Sequence, residues 1–139
     1  MHLFASWLYA DSKWGYTISI KDCAKGGCNM GLRVEKVEKM RGGEGHVIIA
    51  HVLGKEQLGE HAKMYAQVTL EPGCGIGYHE HHGESETYYI LSGEGCYDDN
   101  GEKRCVKAGD VTVTPDGRGH ALTNTGTENL VLMALILLD

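Results

Sequence analysis

Between Gly77 and Gly95 the chain reads GYHEHHGESETYYILSGEG, which holds three histidines (His79, His81, His82) and four glutamates (Glu80, Glu84, Glu86, Glu94). Imidazole nitrogens and carboxylate oxygens are the donors that hold Mn, Fe, Co, Ni and Zn. In an extended strand successive side chains alternate faces, so His79 and His81 share one face and His82 takes the other. A histidine pair at that spacing can chelate a single ion. Glu86 opens the next apolar run, ETYYIL, and can reach the same point from a neighbouring turn. His120 follows TPDGRG at the head of another candidate strand and can return to the same mouth as a fourth ligand. The candidate metal ligands are therefore His79, His81, Glu86 and His120. His82, Glu80, Glu84 and Glu94 are left to a solvated rim, and His46, His51 and His61 read as ordinary strand or surface histidines. Tyr88 shares parity with Glu86 and is the candidate catalytic residue, a hydroxyl that donates to a substrate oxygen. Tyr78 and Met64 are candidates for the pocket wall. Spacing alone does not separate such a cluster from an exposed polar loop.

The surrounding elements read as short strands. HVIIAHVLG (46–54) is apolar and β-branched, MYAQVTLEPG (64–73) is a second strand ended by Pro72-Gly73, and ETYYILSG (86–93) is a third. LGKEQLGEHAK (53–63) is a loop or short helical turn between the first two. CYDDNGEKRC (96–105) is a hairpin, because Asn100-Gly101 is a strong type I′ turn signal. That turn sets Cys96 opposite Cys105 in a non-hydrogen-bonded pair, where a disulfide is geometrically possible; in a reducing cytoplasm the expected reading is a pair of small thiols packed side by side. DVTVTP (110–115), HALTN (120–124) and NLVLMALILLD (129–139) complete an all-β sandwich or barrel. LVLMALILL (130–138) is apolar on both alternating faces, so another sheet layer or a second subunit must cover its outside. A homodimer is expected on that ground.

Composition narrows the partners. The 139 residues suit one domain with one core, and 13 Lys and Arg against 19 Asp and Glu leave a formal charge of −6. No basic stripe is present, which argues against nucleic acid and anionic membrane surfaces. Five cysteines without a regular framework indicate reduced thiols and a cytoplasmic protein. Leu3 to Ala10 is too short to span a membrane and lacks the basic flank of a secretory signal. A seam falls near Met30. Residues 1–29 hold five of the ten aromatics and a charge of +1, and they form an N-terminal extension, either an appendage or an added edge strand. Cys23 and Cys28 within it read as two thiols rather than a zinc site, because no further ligands stand nearby. Residues 30–139 form the β-barrel domain.

The segment 73–93 resembles the first cupin motif, G-(x5)-H-x-H-(x3–4)-E-(x6)-G, with Gly73, His79, His81, Glu86 and Gly93 at its specified positions. The segment 109–124 resembles the second, G-(x5)-P-x-G-(x2)-H-(x3)-N, with Gly109, Pro115, Gly117, His120 and Asn124 in place. The 15 residues between them match the short intermotif loop of small bacterial cupins. The resemblance implies a double-stranded β-helix, or jelly-roll barrel, over about residues 45–138. It also implies one divalent transition metal (Mn, Fe, Ni, Co or Zn) on His79, His81, Glu86 and His120. Four protein ligands on an ion that takes six leave two positions for a bidentate oxygen ligand. Cupins similar to this chain include oxalate-binding or decarboxylating proteins, dioxygenases and sugar isomerases. The expectation is a metal-dependent enzyme of dioxygenase, decarboxylase or isomerase type. Its substrate is a small oxygen-rich molecule: a carboxylate, a hydroxy-carbonyl compound or a sugar. The alternative is a non-catalytic binding or sensor protein, since the fold does not select among these. Gly93 and Gly109 are expected at positive φ, Pro115 at a strand end, and Asn124 behind the site on the parity of His120.

Overall fold

A computed structural model describes residues 32–139. The readings of residues 1–29, including Cys23 and Cys28, lie outside the described residues. Within them the chain is almost entirely antiparallel strand, as expected. In chain order the elements are β1 (Arg33–Glu38), β2 (His46–His51), α1 (Lys55–Leu58), β3 (Ala62–Leu70), β4 (Gly75–Glu80), β5 (Glu84–Ser92), β6 (Glu94–Asp99), β7 (Glu102–Lys107), β8 (Val111–Thr114), β9 (Gly119–Asn124) and β10 (Leu130–Leu138). One six-stranded sheet runs β1-β2-β3-β10-β5-β8 and a four-stranded sheet runs β4-β9-β6-β7. Among the described residues, no helix is long and apolar enough to cross a membrane.

The inner face of the six-stranded sheet is laid out in cross-strand rows. Leu70 pairs with Leu130, and Val68 with Leu132 and then Ile90. The next row is Ala66, Ala134, Tyr88 and Thr112, and the next is Met64, Ile136, Glu86 and Thr114. The first two rows are buried and wholly apolar, and with Ile76 and Leu122 of the other sheet they make the core. Tyr88 stands between Ala134 and Thr112, with Ala66 beyond Ala134, so its ring fits in a layer that larger neighbours would fill. Polarity begins with the hydroxyls of Tyr88 and Thr112 and continues in Glu86 and Thr114 of the next row, whose other half, Met64 and Ile136, is apolar. The sequence therefore builds an apolar plug below a polar layer.

The turns behave as their residues require. Asn100 and Gly101 both have positive φ, and Cys96 pairs with Cys105 in register. Both thiols are free. Gly93 (φ +80) is needed twice over, because a Cβ there would lie 2.5 Å from the Asn129 carbonyl oxygen. Pro115 follows the last residue of β8, where no ladder donor is lost.

Strand β10 sits between β3 and β5, and its inward residues Leu130, Leu132, Ala134 and Ile136 are buried. Its outward residues Val131, Met133 and Leu135 are half-buried. The neighbouring outward residues Tyr89, Val111 and Val113 are 47%, 57% and 55% exposed. One strand was not anticipated: RVEKVE in β1 is largely charged and is a strand through its pairing with β2. Strand β4, on which the parity of His79 and His81 rests, pairs with β9.

Candidate metal centre

Both sheets contribute to one cluster. His79 on β4 is the direct cross-strand partner of His120 on β9. His81 lies just past the end of β4, where its backbone N–H donates to the Arg118 carbonyl at 3.0 Å and its carbonyl accepts from Gly117 N–H at 2.8 Å. These bonds hold the chain extended one step beyond the strand, so His81 stays on the face of His79 while His82 turns to solvent. Glu86 enters from β5 in the opposite sheet. The donor atoms of His79, His81, Glu86 and His120 all lie within 4.8 Å of one another.

Hydrogen bonding at the far side of each ring decides which nitrogen faces the cluster. His79 Nδ1 lies 2.9 Å from the Gly77 carbonyl oxygen, which only accepts, so Nδ1 carries the hydrogen. His81 Nδ1 donates in the same way to Glu84 Oε1 at 3.0 Å. His120 Nδ1 lies between Thr114 Oγ1 at 2.9 Å and the Tyr97 hydroxyl at 3.0 Å, either of which can accept. Each ring therefore presents Nε2 to the centre. His120 Nε2 is 3.1 Å from His81 Nε2 and 3.2 Å from His79 Nε2. Glu86 Oε2 is 2.9 Å from His120 Nε2, 3.2 Å from His81 Nε2 and 3.8 Å from His79 Nε2.

These separations suit a metal. With bonds of about 2.1 Å to nitrogen and oxygen, neighbouring donors stand about 3.0 Å apart in octahedral and about 3.4 Å apart in tetrahedral geometry. Four acceptor atoms this close repel one another unless a proton or a cation lies among them. The residues present fit the group, in donor type as well as spacing. Their side chains are 11% (His79), 3% (His81), 3% (Glu86) and 1% (His120) exposed, so access is from the His79 side.

Charge in the cluster is set by these contacts. Burial opposes ionisation of Glu86, but hydrogen bonding with His120, His79 and His81 prevails and holds its carboxyl well below the usual carboxylate range. The bond to Glu86 raises His81, whereas burial lowers His120. A proton held in the cluster therefore rests on His81, between two carboxylates. Burial, with the charge of Glu86 added, pushes the Tyr88 phenol well above its usual range, so it stays protonated. The Tyr88 ring lies against that of His120, 4.9 Å between centroids and 26° from parallel.

Some side chains sit elsewhere than their sequence positions suggested. Glu84 is not on the rim: its side chain is 12% exposed and braces His81, and Lys63 holds it at 2.8 Å. Asn124 does not support the site. Its amide donates to the carbonyls of Leu70 and Glu128, both at 2.8 Å, and so ties the turn before β10. Four residues of strand carry it about 13 Å from His120. Tyr78 is 48% exposed and its hydroxyl turns to Asn100, away from the cluster. Met64 does stand in the row of Glu86, across Ile136. His82 and Glu80 pair on the surface at 3.1 Å, as a rim would. His51 bonds Glu35 at 2.6 Å, far from the cluster in the sheet. Tyr97 and Thr114 were missed. Tyr97 lies on the parity opposite to Cys96 in the hairpin, which is the one signal that could have turned it inward.

Known proteins agree with this architecture. The family model for the cupin domain matches residues 66–136. An oxalate-binding protein of Thermotoga maritima is 46% identical over 104 residues, covering 75% of this chain and 86% of that one. The crystal structure of a predicted oxalate decarboxylase of Thermotoga maritima superposes with a TM-score of 0.75 at 44% identity, covering 78% of this chain and 94% of that one. The cupin domain of Schizosaccharomyces pombe Cnp3, 16% identical, superposes with a TM-score of 0.61 over 80% of this chain and 70% of its own, and shares the fold alone.

Proposed function

The chain belongs to the cupin family, and we propose that it is a metal-dependent enzyme acting on a small oxygen-rich anion, with a short dicarboxylate such as oxalate the leading substrate class. The ion is one divalent transition metal held by His79, His81, Glu86 and His120. The observation that carries this reading is the convergence of three Nε2 lone pairs and one ionised carboxylate, each ring fixed from behind by a hydrogen-bond partner. A dication bound there supplies Lewis acidity and one positive charge beyond what Glu86 cancels, which favours an anionic oxygen ligand.

The chain's own residues then do the following. Glu84 and the Gly77 carbonyl hold His81 and His79 in the tautomer that faces the centre. Tyr88 backs His120 and keeps a proton beside Glu86 to donate to a substrate oxygen. Ile136 and Met64 form the apolar side of the same row. The name of the oxalate-binding relative favours a second reading, in which the chain binds such an anion without turnover. The outward apolar residues of β5, β8 and β10 support a homodimer joined through that face.

The test is oxalate added to metal-loaded protein, with a panel of hydroxy-acids and sugars beside it, followed by thermal shift and by product analysis. Stabilisation with product formation, both lost in His79→Ala, is the expected result. Stabilisation without product selects the binding reading. Neither response from any oxygen-rich compound overturns both.

A further inference from the structure

The end of β4 remote from His79 carries a second set of donors. Cys74 precedes that strand by one residue, about 16 Å of extended chain from His79. His46 at the start of β2, Glu71 just past β3, and Cys74 present one donor atom each, all within 4.8 Å of one another. His46 Nε2 and Glu71 Oε2 are 2.9 Å apart. We propose that His46, Glu71 and Cys74 form a second cation site, for a zinc-class divalent ion, independent of the centre described above.

Two turns build it. Glu71-Pro72-Gly73-Cys74 is a type II turn: Cys74 N–H donates to the Glu71 carbonyl at 2.9 Å, Pro72 stands second, and Gly73 has φ +79. The turn sets the Glu71 carboxylate and the Cys74 thiol side by side. It is tied to β9, because Gly73 N–H donates to the Asn124 carbonyl at 3.1 Å and Asn124 N–H to the Cys74 carbonyl at 2.9 Å. The second turn brings in His46. Gly45 has φ +64, and a Cβ there would lie 2.5 Å from Cys74 Sγ. The missing side chain at residue 45 is the space the sulfur fills. The thiol thus rests against the backbone that leads into His46.

The chemistry of the set selects the ion. A thiolate, an imidazole and a carboxylate are a zinc-type combination, unlike the all-oxygen shells of Mg and Ca. Sulfur and nitrogen on one tetrahedral zinc stand about 3.6 Å apart, from bonds of about 2.3 and 2.1 Å. Closing from the 4.8 Å limit takes a shift of about 1 Å. Glu71 is free to follow, with 48% of its side chain exposed, while His46 is 17% exposed and Cys74 is buried. This gradient runs from solvent to sulfur and gives the ion an entry path. On binding, the thiol loses its proton to solvent, and the thiolate and carboxylate together balance a dication. Such an ion would staple the start of β2, the end of β3 and the start of β4.

Co(II) alone is the probe, added to the full chain, because a thiolate on Co(II) gives a near-ultraviolet charge-transfer band. Serine at Cys23, Cys28, Cys96 and Cys105 leaves Cys74 as the one thiol. The band is expected in that variant, is expected to persist when His79→Ala and His120→Ala disable the first centre, and is expected to vanish in Cys74→Ser. Glu71→Gln and His46→Gln, which leave the thiol in place, should each weaken Co(II) at the band by tenfold or more. No band in the single-thiol variant, or unchanged affinity in both Glu71→Gln and His46→Gln, overturns the proposal and leaves a surface ion pair beside a buried thiol.

Discussion

Replacing Glu84 tests whether the hydrogen bond behind a ligand matters as the geometry says. Glu84 Oε1 accepts from His81 Nδ1 at 3.0 Å, and the carboxylate is only 12% exposed. Burial opposes its charge, but hydrogen bonds with Lys63 and His81 hold its carboxyl below the usual range, so it is ionised at neutral pH. An ionised acceptor fixes the ring and makes Nε2 more basic. Loss of such a partner typically costs 10–100-fold in metal affinity, or about 1.4–2.7 kcal/mol. Glu84→Gln keeps an acceptor without charge and should fall near the lower end, about tenfold; Glu84→Ala should approach about 100-fold. Lys63→Met removes an anchor on a side chain that is 54% exposed and should cost about threefold or less. Glu80→Gln is the control, because Glu80 is 55% exposed and pairs with His82, outside the cluster. Competition against a chelator of known affinity, with each folded full-length variant, reads these numbers. Wild-type affinity in Glu84→Ala, or an equal loss in Glu80→Gln, would mean that the bond behind His81 contributes nothing to metal binding.

Three further outcomes are expected. Gly93→Ala combines a positive φ with a Cβ 2.5 Å from Asn129 O and should cost at least about 2 kcal/mol in denaturant unfolding, against about 1 kcal/mol for Gly109→Ala, whose Cβ meets nothing. Metal affinity should be full above the raised pKa of His81 and fall as pH drops through it, because the proton that Glu86 favours on that ring competes with the ion; isothermal titration in buffers of different ionisation enthalpy should find protons released on binding. Val113→Lys puts a charge on a face whose Val113 is 55% exposed beside Val111 and Tyr89; light scattering should find the protein shifted from dimer to monomer, and an unchanged mass would remove that face from the account.

Much of the site was legible because its geometry is periodic. His79 and His81 are related by strand parity, and the motif distances supply Glu86 and His120. The all-β class followed from short apolar runs and turn residues, and Asn100-Gly101 placed Cys96 opposite Cys105. What escaped was aperiodic or borrowed. Glu84 and Glu80 look alike in sequence, but between them β4 ends and Gly83 turns the chain at φ +72, so parity no longer carries across. Asn124 shares the parity of His120, yet parity says nothing of distance along the strand. Strand β1 exists through its partner β2, which no local pattern records. Lys63, which holds Glu84, lies 21 residues from it and meets it only in the fold.

His79, His81, Glu86 and His120 are proposed to hold one ion, and His82 is not among its ligands. Elemental analysis of wild type, His81→Ala and His82→Ala, each purified from its native source or loaded under identical conditions, tests it directly. His82→Ala with as many equivalents as wild type, and His81→Ala with one fewer, is the expected result. The wild-type content in His81→Ala, or one equivalent fewer in His82→Ala, would mean that the ion is held by other residues.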